Sequence, residues 1–371
     1  MTKKKIKLKM PAKIILLILI VLIGIFCFYK YNISQLMKIG YSEKASNNIL
    51  LKLKKKDVLL IGENKTLNKA FESDYYIDDN FDSYSKIKYQ DQKNLIKNIN
   101  LLIEKKYSNN NISMILSRGN DSDVVEFAKR DKVRYVEEFL SFPYAKLKYY
   151  DRYVNYSLET GEDEETTVLY VNLDMDKDAY TDPIIVKDYD ITMLINKHRM
   201  LSKDYIPKDL VKVDSKYASD ETQEGAKDAV DAFIKMAKAA KKDGLGLVIN
   251  SSYRSYEEQE ELCNTYLGLY GQSYVDRYVA KAGFSEHQTG LAFDVGSTTS
   301  NVFTNSQEYT WMQENAYKYG FIQRFPKGYE EMTGFRYESW HYRYVGKKIA
   351  TYIHDNKMTY DEYYITFLDK E

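Results

Sequence analysis

Residues 284–296 read FSEHQTGLAFDVG and set one of the chain's four histidines, His287, among small and polar neighbours, seven residues before Asp294. Gly290 makes a helix through this stretch unfavourable, so a loop followed by a short strand is expected. On the strand LAFDV, alternation sends Leu291, Phe293 and Val295 to one face and Ala292 and Asp294 to the other. The bulky residues suit a core, while the small residue and the carboxylate suit a cleft. His287, on the preceding loop, can turn to meet Asp294.

A second histidine supplies the partner. His341 stands in YESWHYRYVG, and two imidazoles with one carboxylate make an open three-ligand zinc site that leaves a position for water. A closed structural site takes four ligands and is usually rich in cysteine; Cys27 and Cys263 cannot supply that set. The metal expected is therefore catalytic in type, one Zn2+ per chain. Glu338 lies three residues before His341, an odd offset that on a regular strand points the two to opposite faces. A bend or strand start at Ser339–Trp340 is required if Glu338 is to take a proton from water and return one to a leaving amine. Arg254, after the apolar run LGLVINSSYRS begins, can place a cation beside a carbonyl oxygen where negative charge develops. Each fragment alone is common; in this order and together they point to a metal-dependent hydrolase. His198 in NKHRML and His354 lack such neighbours and read as packing or surface residues.

Outward from this centre, Ala226, Ala229, Val230, Phe233, Ile234, Ala237 and Ala240 form one apolar face, predicting a helix from about Glu221 to Lys242 that ends at Asp243–Gly244. LGLVINS reads as a buried strand, YEEQEELCNTYLGLYG as a helix, and Gln307 to Tyr319 as a further helix ending at Gly320. FIQRF and FRYESWHYRYV supply further strands, and Met193 to Val213 is extended in character around Pro207. VLYVNLDMD, from Val168, also reads as a strand, after an acidic loop from Leu158 to Thr167. Helices and strands mix without a βαβ rhythm, so the fold class is α+β with a central antiparallel sheet and flanking helices.

The chain has 371 residues, 44% of them hydrophobic, and zero formal net charge, room for two modest domains and an anchor and no reason to expect nucleic acid as a partner. With two cysteines, no disulfide framework can form. Residues 1–13 are lysine-rich and 14–31 are apolar, the uncharged run Ile14 to Tyr29 being a little short of the ~20 residues of an ideal span. Lysine flanks keep that end cytoplasmic and place the rest outside the membrane. A cleaved export signal is the alternative, but FCFYKYN is a poor cleavage site, and Phe26 before Cys27 argues against lipid attachment there. Residues 32–160 read as a mainly helical spacer or wall-binding module. Leu95, Ile99, Leu102 and Ile103 share one helical stripe, and the stretches from Gly40 and Gly119 read as weak repeats or as chance similarity.

The motifs resemble those of the VanY-type D-alanyl-D-alanine carboxypeptidases, which group with the lysostaphin and hedgehog-type zinc folds. The S-x-H-x-x-G-x-A-x-D signature is matched by Ser285, His287, Gly290, Ala292 and Asp294, and E-x-W-H by Glu338, Trp340 and His341. SSYRSYEEQ matches S-x-Y-R-S with Arg254 and Gln259, and the likeness extends over about 168–368. One departure is Ser339, where the family often has proline. The resemblance implies His287, Asp294 and His341 as zinc ligands, Glu338 as general base and acid, and Arg254 as stabiliser of the carbonyl oxygen. It implies Tyr253, Gln259 and Ser285 as substrate contacts. The implied reaction is release of D-alanine from peptidoglycan stem pentapeptides by a single-pass bacterial membrane protein facing the cell wall. Relatives also include L,D-carboxypeptidases acting on tetrapeptides and crosslink endopeptidases. A non-catalytic zinc-fold wall-binding module is the rival from another class.

Overall fold

Alternation along short strands separates an apolar layer from a charged one. The computed structural model describes residues 10–131 and 133–369, and the lysine-rich segment up to Lys9 lies outside them. The described residues fall into two compact units, divided between Tyr150 and Asp151.

In the second unit, β1 (Ile184–Ile185) and β2 (Arg199–Met200) form a parallel pair, and β3 (Leu210–Lys212) and β4 (Glu224–Ala226) an antiparallel one. The main sheet is built from β5 (Leu247–Ser251), β6 (Ala292–Ser297), β7 (Phe321–Gln323) and β8 (His341–Tyr344), in the order β5-β6-β8-β7, antiparallel throughout. Ile249, Phe293, Val295, Phe321 and Tyr342 pack with the helix Lys227–Lys242, whose Ala229, Val230, Phe233, Met236, Ala237 and Ala240 are buried. Phe233 meets Phe293 and Phe321 edge-on, with centroids 5.9 and 6.3 Å away. Burying one such side chain contributes about 1.5–3 kcal/mol, so this apolar face holds the sheet as a rigid platform for the other.

Three local expectations need correction. The helix expected from about Glu221 starts at Lys227, because 224–226 form β4. A Cβ on Gly225 would come within 2.7 Å of the Phe293 ring, so the backbone itself lies against the core there. The strand expected from Val168 is part of a helix, Glu164–Asn172, capped by Asp163, whose carboxylate accepts from the Thr166 amide at 3.0 Å. Val168, Leu169 and Val171 are all buried, and a short helix buried on several sides carries the same apolar run as a buried strand. The expected acidic loop is correspondingly short, lying between that helix and Tyr150–Thr160.

The first unit is helical among its described residues. Helix α1 (Met10–Lys38) includes a stretch, Ala12–Lys38, long and apolar enough to cross a membrane. After it come α2 (Glu43–Leu51), capped by Ser42, and α3 (Lys55–Ile61). Leu95–Glu104 is helical as its stripe predicts, with Leu95, Ile99 and Leu102 buried. The stretch from Gly119 likewise gives two short helices, Asp121–Phe127 and Val136–Leu140, the first capped by Asn120. The two glycines differ, however: Gly40 has φ +97°, whereas Gly119 is extended at −152°.

Candidate metal centre and catalytic cleft

Strand register brings the central side chains together. Asp294 on β6 is the direct cross-strand partner of His341 on β8 and of Ser251 on β5. Directly opposed residues share a face, with Cβ atoms about 4.5–5.5 Å apart. His287 arrives from the turn before β6, a 3-10 helix over Glu286–Thr289. Ser285 caps it, its hydroxyl accepting from the His287 amide at 3.3 Å. Gly290 then turns the chain with φ +66°, and its carbonyl accepts from the Ala226 amide at 2.8 Å.

The ring nitrogens are sorted by their partners. His287 Nδ1 lies 2.7 Å from the Ser252 carbonyl, which can only accept, so Nδ1 carries the proton and Nε2 offers its lone pair. That Nε2 is 3.5 Å from Asp294 Oδ2. His341 Nδ1 lies 3.2 Å from Asp294 Oδ1 and 3.7 Å from Glu338 Oε2, while its Nε2 faces Glu286 Oε2 at 3.3 Å. His287, Asp294 and His341 can each present a ligand atom within 4.8 Å of the others, a spacing that suits one metal ion. Burial opposes charge on His341, but the carboxylates of Asp294 and Glu286 prevail and raise its pKa to about 10. Burial would raise Asp294, yet His287 and His341 hold it well below the usual carboxylate range.

Glu338 reaches this group because the chain bends at Ser339–Trp340 and β8 begins only at His341. Serine holds the bend in place of proline: Ser339 Oγ is 2.6 Å from Thr304 Oγ1, and the Trp340 carbonyl accepts from the Val295 amide at 2.9 Å. Burial pushes Glu338 up to about 7, against the pull of His341.

Arg254 is aimed by two side chains, donating to Ser251 Oγ at 2.7 Å and Gln259 Oε1 at 2.6 Å. Burial lowers its pKa from the usual arginine value. Gln259 also donates to the Ala280 carbonyl at 2.7 Å, so both its polar ends are committed within the protein. Arg254, Gln259, Ser285, His287, Asp294, Glu338 and His341 line one cavity of about 450 Å3, walled by Tyr266, Tyr274, Phe325 and Trp340. Tyr253 is not brought into it and instead lines a neighbouring hollow with Ser252 and Glu258. His198 is buried and His354 stacks on Tyr317 at 3.7 Å, so both are packing residues.

Residues 223–347 match the family model VanY, described as D-alanyl-D-alanine carboxypeptidase. The chain is 42% identical over 182 residues to YodJ of Bacillus subtilis (strain 168), a match covering 47% of this chain and 67% of that protein. The chain belongs to the VanY-type D-alanyl-D-alanine carboxypeptidase family. A D-alanyl-D-alanine carboxypeptidase of Enterococcus faecium is 37% identical over 139 residues, 37% of this chain but only 43% of that protein's length. Among solved structures, the LdcB LD-carboxypeptidase is 41% identical, with 49% of this chain and 89% of that one covered at a TM-score of 0.46.

Glu286, inside the VanY-type signature, has a role that its local sequence does not announce. Its buried carboxylate accepts from Arg324 Nε at 2.9 Å and Arg343 Nη1 at 3.0 Å, besides facing His341. Burial would raise its pKa, but the two guanidinium groups hold it well below the usual range. Arg324 also forks onto Asp361, with Nη2 3.0 Å from Oδ1. Arginines within the apolar runs FIQRF and HYRYV were the available signal, since a buried arginine requires a carboxylate.

Proposed function

We propose that this chain is a zinc-dependent D,D-carboxypeptidase that removes the terminal D-alanine from peptidoglycan stem pentapeptides. The observation carrying this reading is the convergence of His287, Asp294 and His341 on one point, with Glu338 beside them in a cleft of about 450 Å3. The donor set fits zinc: two imidazoles and a carboxylate, with His287 Nδ1 bonded to a carbonyl and His341 Nε2 facing a carboxylate. When bound there, zinc acidifies water and polarises a carbonyl.

The protein's own groups do the rest. Glu338 takes a proton from the attacking water as its oxygen joins the carbonyl carbon, then gives it to the nitrogen as the C–N bond breaks. Arg254 stabilises the negative charge that develops on the carbonyl oxygen. Gln259 positions that guanidinium, and Ser285 shapes the turn bearing His287. Both residues also line the cleft, where the substrate contacts implied by the family resemblance would lie. Helix α1 serves as a single-pass anchor in the cytoplasmic membrane, with the second unit facing the cell wall.

The test is mass spectrometry of products from the zinc-loaded protein on pentapeptide and tetrapeptide muropeptides, beside Glu338→Gln. Pentapeptide shortened by one alanine, and intact in the variant, supports the reading. Shortening of tetrapeptide alone makes the protein an L,D-carboxypeptidase. No change in either, with cleavage of crosslinked dimers, makes it an endopeptidase. No cleavage at all leaves a wall-binding module.

A further inference from the structure

Helix α1 runs without a break from its apolar half into the first unit, which defines a level along it. Ile14 to Phe28 stand clear of the protein, and from Tyr29 onward the helix is engaged. Tyr29 Oη donates to Asn47 Oδ1 at 2.8 Å, Lys30 pairs with Glu43 at 3.1 Å, and Asn32, Ile33 and Leu36 are buried. The later residue of α2 meets the earlier residue of α1, so α2 runs back toward the apolar half. It continues one turn beyond Asn47 and ends at a tip, Leu51-Lys52-Leu53. Lys55, just past the tip, donates to Gln35 Oε1 at 3.0 Å and to Asn32, which ties the tip beside the same stretch of α1.

Both tip leucines face outward, Leu51 with 72% and Leu53 with 88% of its surface exposed. Leu53 adopts φ +57°, a left-handed backbone that a helix end normally gives to glycine or asparagine. Lys52 and Lys56, both exposed, flank it. A second observation concerns length. The apolar run Ile14 to Tyr29 has 16 residues and spans about 24 Å at 1.5 Å per residue, some 6 Å short of a ~30 Å hydrocarbon core. A short span draws its flanking residues into the bilayer interface. The tip is tied through Lys55 to Asn32 and Gln35, just past the outer end of that run.

We propose that Leu51 and Leu53 insert into the outer interfacial layer of the lipid bilayer, with Lys52 and Lys56 at the headgroup phosphates. The anchor is then a helix with a leucine foot, which sets the tilt of the first unit on the membrane. Leucine with lysine on one small surface is the composition that lies at a lipid interface. This inference rests on reading α1 as a membrane span.

The test uses the full chain in phosphatidylcholine/phosphatidylglycerol vesicles, with Cys27→Ser and Cys263→Ser, carrying an environment-sensitive fluorophore at Leu53→Cys or, separately, at Ile18→Cys. Quenching by a lipid-borne nitroxide is compared with quenching by aqueous iodide. The expected result is nitroxide quenching at both positions and at least threefold lower iodide access at 53 than for the same fluorophore at Leu158→Cys, a comparably exposed leucine outside the tip, in the same vesicles. Iodide access retained at 53 while 18 is shielded overturns the foot and leaves the anchor standing. Iodide access at both positions overturns the membrane span and the foot with it. As a label-free check, amide exchange at 51–55 in the unlabelled chain should slow on reconstitution; unchanged exchange there counts against insertion.

Discussion

Two clusters of buried charge lie side by side in the second unit, and they differ in balance. Glu286 and Asp361 face Arg324 and Arg343, so two carboxylates meet two guanidinium groups in a closed, neutral set. Beside it, Asp294 and Glu338 face two imidazoles that are neutral when they act as ligands and share an open cleft with one guanidinium, Arg254. This set has no fixed balance: its charge changes with the proton on Glu338 and with any cation held by Asp294. Glu286 links the two through His341. The balanced cluster is suited to hold shape and the unbalanced one to do chemistry, because a buried charge persists only where something compensates it.

The comparison breaks most readily at the unbalanced cluster. Glu338→Gln is expected to lower turnover by roughly 10²–10⁴-fold while bound zinc stays stoichiometric, measured by steady-state kinetics beside metal analysis. Equal losses of zinc and activity would move Glu338 into the ligand set. Removing zinc with a chelator should abolish hydrolysis but leave the far-ultraviolet circular dichroism spectrum unchanged, since the neutral cluster and the Phe233 core need no metal. A collapse of the spectrum would show that the centre is structural.

The balanced cluster should answer in stability. Arg324→Met leaves Glu286 and Asp361 undercompensated and is expected to cost roughly 3–5 kcal/mol in urea unfolding, as losing one partner of a buried ion pair does. A change near zero would mean that the carboxylates reach solvent. The smallest effect is on pH. Glu286 and Asp294 have folded-state pKa values below their unfolded values, so their contribution is complete above the unfolded carboxylate range of about 4–4.5 and is lost as pH falls through it and toward the folded values. Urea midpoints of the metal-free protein should therefore decline below about pH 4.5. Between about pH 7 and 5.5, by contrast, His341 and Glu338, raised to about 10 and about 7, add stability on acidification. A midpoint that keeps rising below about pH 4 would reverse the sign assigned to Glu286 and Asp294.

How legible this was depended on how local each relationship is. His287 and Asp294 sit seven residues apart on one loop and strand, so alternation alone could place Asp294 on a cleft face. The three-residue offset of Glu338 and His341 announced a bend, and Ser339 holds it through Thr304. The grip of Gln259 on the Ala280 carbonyl was not legible, because it depends on how two separate segments pack. Glu286 went unread because its partners lie 38 and 57 residues away, and nothing local names them. Val168 to Asn172 were misread because a periodicity test needs a polar face, which that buried helix lacks.

Composition, alternation and motif spacing were enough by themselves for the α+β class, the apolar amino-terminal segment, the three metal-ligand candidates and the acid–base candidate. These follow from short-range geometry, where the period of a strand or helix ties sequence position to direction. The tertiary structure alone decided which nitrogen of each histidine faces the centre, what Gln259 holds, and how four distant charges neutralise one another. It also decided that Leu51 and Leu53 are left uncovered beside the end of the apolar helix. Those outcomes depend on which distant segments meet, and no local period encodes that.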